Sequence, residues 1–138
     1  MSSIKRFGVS INEKLLESFD KLIEKEKYIN RSDAIRDLIR EKLIMSSWSD
    51  EEKDVVGTIT IIYDHHSTNI SENLVHIQHD DYKSIISTTH VHLDEHNCLE
   101  VLIVNGKSNK IKKIAENLIR AKGVKHGKLT MTARGDEL

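Results

Sequence analysis

RFGVSINEKLLESFDKLIEKEKYINRSDAIRDLIREKLIM, residues 6–45, is the stretch that decides the fold. At its start Phe7, Val9 and Ile11 alternate with Arg6, Gly8 and Ser10, the period-two pattern of a strand with one apolar and one polar face. Asn12 then caps a helix whose Leu15, Leu16, Phe19, Leu22 and Ile23 fall on one stripe. A second helix starts near Asn30-Arg31-Ser32, where either polar side chain can cap, and it carries Ile35, Leu38, Ile39 and Leu43 on its apolar face. The order is strand, helix, helix. A segment of about 45 residues buries too little apolar surface alone, and a lone strand leaves its backbone donors and acceptors unpaired. Antiparallel pairing of two copies resolves both difficulties. The resulting ribbon turns Phe7, Val9 and Ile11 toward the helices and displays Arg6, Gly8 and Ser10, a shape that fits a DNA major groove. The helix start at Asn30, Arg31 and Ser32 would then aim free N–H groups at flanking phosphates. A small helical dimerisation module with a solvated polar strand face fits the same periodicity.

Beyond residue 45 the chemistry changes. The polar run SSWSDEEKD, residues 46–54, lacks apolar periodicity and reads as a linker between an N-terminal domain, residues 1–45, and a C-terminal domain, residues 55–138. All eight histidines and the single cysteine lie after residue 54, so any metal chemistry belongs to that second domain. It reads as a strand over Val55–Asp64, a helix from Asn69 to about His79, a strand over Ser84–Leu93 and another over Cys98–Val104. A helix opened by Ser108 and ended before Gly123 follows, then a strand over Val124–Thr132. The fold class is α+β, with a βαββαβ order of the ferredoxin-like, ACT-type kind, which alone specifies no function.

Composition sets outer limits. With 38% hydrophobic and 31% charged residues the balance is that of a folded globular protein, and Val101–Val104 is far too short an aliphatic run to span a bilayer. One cysteine forms no intrachain disulfide, which suits a reducing cytoplasm and leaves Cys98 free for a metal. The net charge of −1 means that any DNA-binding surface is a local patch.

His90 and His92 stand two apart on a predicted strand, so both imidazoles leave the same face. A turn through Asp94–Asn97 would set Cys98 across from His92, placing a thiol beside two imidazoles. Nitrogen and sulfur donors of this kind suit Zn, Cu or Ni, with planar geometry marking Ni(II) or Cu(II) and tetrahedral geometry marking Zn. On residues alone a zinc hydrolase remains open, with Glu100 as base, as does a small-molecule sensor built on the ACT-type fold.

NRSDAIRDLIR, residues 30–40, resembles the ribbon-helix-helix repressors and is close to what the NikR family of nickel regulators carries there. HVHLDEHNCLEV, residues 90–101, is similar to the same family's pattern of His-x-His, five residues, then Cys-Leu-Glu. The resemblance runs from Arg6 to about Gly127. It implies a nickel-dependent repressor that binds palindromic operator double-stranded DNA, assembled as a homotetramer, a dimer of dimers, with one Ni(2+) per subunit. The implied ligands are His90, His92 and Cys98 with His79, eleven residues before His90 and supplied by the other dimer. His65 and Glu100 match positions around the metal that are not primary ligands, and His66, His76, His96 and His126 are expected at the surface. Two departures stand out. The family's strand commonly reads Arg-x-Thr-x-Thr, whereas Gly8 and Ser10 stand here, and Ser67 and Thr68 replace basic residues that some members place near DNA.

Overall fold

A computed structural model describes residues 3–67, 69–136 and 138, and Thr68 lies outside them. The chain divides between Glu41 and Lys42 into two compact units. In the first unit, helix α1 spans Glu13–Lys25 and is capped by Asn12, whose side chain accepts from Lys14 N at 2.9 Å. Helix α2 spans Arg31–Ser49, starting in the first unit and ending in the second, and Asn30 is its cap, accepting from Asp33 N at 2.9 Å. Arg31 forks onto Asp20 with bonds of 2.8 and 2.7 Å, which lowers the Asp20 carboxyl below its ordinary range. Tyr28 donates to Asp37 at 2.9 Å.

Residues 3–12 carry no strand within the chain, where the sequence predicts one. The physical reason is the one that predicts a dimer: the first unit holds no second strand to complete a ladder. Phe7 is 71% and Val9 65% exposed, and Leu15, Leu38 and Leu43 are exposed with them. Among the described residues of this unit only Ile23 and Ala34 are buried hydrophobics.

The second unit holds β1 (Asp54–Asp64), α3 (Ile70–Asp80), β2 (Ile85–His92), β3 (Asn97–Lys107), α4 (Ser108–Ile119) and β4 (Val124–Thr132). The four strands form one antiparallel sheet in the order β2-β3-β1-β4, the ferredoxin-like arrangement that the sequence predicts. Val55, Ile59, Ile61 and Tyr63 of β1 alternate inward, meet Cys98, Leu102 and Val104 of β3, and pack beneath Ile111, Ile114 and Leu118 of α4. Gly123, with φ of 97°, takes the left-handed turn into β4, and a Cβ there would come within 2.7 Å of Ile70 Cδ1. Among the described residues no helix is long and apolar enough to cross a membrane.

The boundary after residue 45 requires correction. Helix α2 continues through Ser46–Ser49, since no proline or glycine interrupts it, and Trp48 is 1% exposed in the core of the second unit. Its ring edge lies where a Cβ on Gly57 would come within 3.1 Å of it, so β1 needs glycine at that point. Trp48 Nε1 donates to Thr132 O at 2.9 Å, while Trp48 O accepts from Ser108 Oγ and from Lys112 Nζ at 2.7 Å. The helix end thereby has its free carbonyl satisfied by side chains of α4. Trp48→Ala should cost about 3–5 kcal/mol, read by denaturant unfolding of the full chain; a loss below about 1 kcal/mol would show that the ring is not part of this core.

Candidate metal centre

Three chain segments converge at one end of the sheet. The register sets His92 of β2 and Tyr63 of β1 on either side of Cys98 in β3, and His90 opposite Glu100. The β2–β3 turn is fastened by Asp94, whose carboxylate accepts from His96 N at 2.8 Å, Asn97 N at 2.7 Å and Asn97 Nδ2 at 2.9 Å. The Asn97 side chain first, and then the backbone N–H groups, hold this carboxyl down at about 2. Leu93 N donates to Asn97 O at 2.9 Å, closing the hairpin that the spacing predicts. The turn after β1 is tied to the same place, with His65 N donating to His96 O at 3.1 Å.

Cys98 Sγ lies 3.4 Å from His92 Nδ1 and 3.2 Å from His65 Nδ1, and one donor atom from each residue falls within 4.8 Å of the other two. Cys98 is fully buried, His65 half-buried and His92 exposed, so the thiol is reached past the two imidazoles. One thiol with two imidazoles fits a borderline-soft divalent ion. Burial pushes the Cys98 thiol up, and the Asp64, Asp94 and Glu100 carboxylates add to the shift. The same carboxylates favour a cation at this point.

The remaining predicted residues are placed differently. His90 stands beside the cluster, its ring 4.9 Å from that of His92 and its Nε2 3.4 Å from Tyr63 Oη. His79 is exposed on the last turn of α3, its ring 6.5 Å from that of Tyr82. Glu100 is buried and accepts from Gln78 Nε2 at 2.9 Å, and Gln78 Oε1 accepts from Thr88 Oγ1 at 3.3 Å. A polar connection therefore runs from α3, beside His79, to the strands that carry His90 and Cys98. Burial, and then the charge of Glu100, push the Tyr63 phenol up to about 12, so it stays a hydroxyl at neutral pH. Tyr63 and Gln78 are the participants that sequence reasoning missed. Their only signal is a polar end on an inward strand position and on a helix position next to a predicted ligand. His66 and His96 are exposed as expected, with their rings 5.2 Å apart and the His66 ring tilted against that of His65 at 4.1 Å. Arg6, Gly8, Ser10, Arg31 and Ser32 are all exposed.

Comparisons with known proteins agree with this layout. The family model for the NikR C terminal nickel binding domain matches residues 56–132, and that for the ribbon-helix-helix protein, copG family, matches residues 5–44. Relatives that share the name nickel-responsive regulator include one from Geobacter sulfurreducens, 59% identical over 96% of each chain. One from Geobacter metallireducens is 55% identical over all of this chain and 99% of its own, and one from Thermococcus onnurineus is 53% identical over 98% of each. A solved structure of an uncharacterized protein from Thermotoga maritima is similar over 57% of this chain and 98% of its own, with a TM-score of 0.52 and 14% identity, a likeness of fold alone.

Since alkylating reagents attack the thiolate, a raised thiol reacts less at any given pH than an ordinary one. Iodoacetamide should modify Cys98 of the metal-free protein slowly at pH 7, with a rate still climbing above pH 9. A rate that levels off below pH 8 would contradict the raised value.

Proposed function

We infer that this chain, which belongs to the family of nickel-responsive transcriptional regulators, is a cytoplasmic repressor that binds palindromic operator DNA when Ni(II) fills a site made of His79, His90, His92 and Cys98. The observation that carries the reading is the pairing of His92 with Cys98 across the β2–β3 hairpin, in a chain whose residues 5–44 match the ribbon-helix-helix, copG family. Both matched families are regulators and not enzymes, which removes the zinc hydrolase.

Within each subunit the hairpin holds His92 and Cys98 at ligating distance, and His90 stands beside them, its ring 4.9 Å from that of His92. His79 is exposed at the end of α3, and in this reading it is the ligand that a neighbouring chain receives. His79, His90, His92 and Cys98 would hold the nickel, which would join donors supplied by two dimers. The assembly is a homotetramer with one ion per subunit. Its support is the sheet face without helices, where Ile62, Val91, Leu99, Val101 and Ile103 lie together, Val91 and Ile103 exposed. Two copies of residues 3–12 pair as a ribbon, which covers Phe7 and Val9 and presents Arg6, Gly8 and Ser10 to base edges. Asn30, Arg31 and Ser32 set the start of α2 against phosphate, with the Arg31 guanidinium held on Asp20. Ordering His79 and the Gln78–Glu100 connection before DNA arrives removes part of the later ordering cost, a positive coupling of about 1–3 kcal/mol.

Gel-shift titration at fixed salt tests this. Wild-type affinity for the operator should rise with nickel, His79→Ala should lose most of that rise, and Arg6→Ala should lose about 1–3 kcal/mol with or without nickel. A full nickel-induced gain in His79→Ala would remove it as the link between metal and DNA.

A further inference from the structure

Every arginine of helix α2 is paired with an aspartate. Arg36 meets Asp33 and Arg40 meets Asp37 within the helix, while Arg31 reaches back to Asp20 of α1. Arg6 has no such partner among the described residues. The Arg31 pair differs from the others in kind. Its parallel bonds, Nε to Oδ1 at 2.8 Å and Nη2 to Oδ2 at 2.7 Å, fix the plane of the guanidinium and join two helices. They occupy one edge of the group. Nη1 has no partner among the described residues and the side chain is 56% exposed, so the other edge stays open next to Asn30 and Ser32, where α2 starts. The bonds from Arg31 hold the Asp20 carboxyl below its ordinary range, and the pair carries no net charge at neutral pH. A cation draws counterions off DNA only as far as its charge is not already cancelled. A forked arginine therefore offers a phosphate oxygen a directed N–H without adding a full charge to the attraction for every duplex.

We propose that Asp20 is a positioning residue that sets how strictly the first unit discriminates between DNA sequences: it holds Arg31 by one edge, aims the other at a phosphate, and cancels a charge that would otherwise bind DNA of any sequence. The proposal rests on the reading above, in which the start of α2 lies against phosphate. Phosphate contacts carry no base information, so Asp20 acts on the ratio of affinities and leaves the reading of bases to the ribbon. On the operator the ribbon fixes the register, and the open edge of Arg31 meets its phosphate already oriented, with little side-chain freedom left to lose. In a complex with arbitrary sequence no register is fixed, and the neutral pair adds little hold.

The test compares full-length variants by fluorescence anisotropy over a range of salt, on a mixed-sequence duplex and on an operator fragment selected in vitro with the nickel-loaded protein. Asp20→Asn and Asp20→Ala should each tighten binding to the mixed-sequence duplex severalfold and steepen the slope of log affinity against log salt by about 0.9 for each subunit in contact. Operator affinity should change less, so the ratio of the two affinities falls severalfold. Asp20→Glu, which can rebuild the fork, should restore the wild-type ratio. Glu17→Gln, one turn earlier on α1, removes the same charge from a residue with no partner among the described residues, and should leave slope and ratio near wild type. The pair is exposed, so all variants should keep the wild-type circular dichroism. A merely structural role would lower both affinities together at an unchanged slope, and that result overturns the proposal. So does a Glu17→Gln slope as steep as that of Asp20→Asn, which would make net charge alone the cause. A nickel-loaded protein that selects no operator would sink the regulatory reading instead, and the slope on the mixed-sequence duplex would still decide the role of Asp20.

Discussion

The pairing of His92 with Cys98 across the β2–β3 hairpin is the constraint on which the metal chemistry depends. Side chains on a strand alternate between faces, so a slip of one residue would send both histidines of β2 away from the thiol. Two features prevent it. Asp94 gathers three donors from residues 96 and 97 and fixes the length of the turn, and Cys98 is packed in the core among Tyr63, Leu102 and their neighbours. The thiol is thus placed by the hydrophobic core, while the imidazoles, on the more open edge, supply access.

The two units solve the problem of burial differently. The second unit covers one sheet face with α3 and α4 and draws the end of α2 into its core through Trp48. The first has two buried hydrophobics among its described residues and leaves much of its apolar stripe exposed, a surface that the proposed pairing of two copies would cover. The open sheet face of the second unit makes a similar demand on further copies. In this account assembly is a condition of function, because a DNA-reading ribbon and a four-ligand site each need more than one chain.

Most of this was legible in sequence where periodicity and spacing act locally. The βαββαβ order, the Asn12 cap and the Cys98–His92 register follow from alternation, capping chemistry and turn length, and the structure has each of them, while of the two caps open for the second helix it uses Asn30. What escaped depends on contacts far apart in sequence. SSWS read as linker because its residues are polar, yet Trp48 finds Thr132 and Ser108, more than fifty residues away, and the helix persists to reach them. His65 looked peripheral because nothing local links the turn after β1 to Cys98; only the β1–β3 pairing of Tyr63 with Cys98 does. The bidentate bond from Arg31 to Asp20 of the preceding helix, eleven residues back, has no local signal in the sequence either. The strand at residues 6–11 is legible in pattern but absent from the single chain, because a ladder needs two strands.

The central claim is that Cys98 and a set of imidazoles hold nickel in this chain. X-ray absorption on the nickel-loaded full-length protein measures the donors directly. The account predicts four-coordinate, planar nickel with one sulfur and the remainder nitrogen, and loss of the sulfur shell in Cys98→Ala. A six-coordinate site with only oxygen and nitrogen donors in the wild-type protein would contradict it.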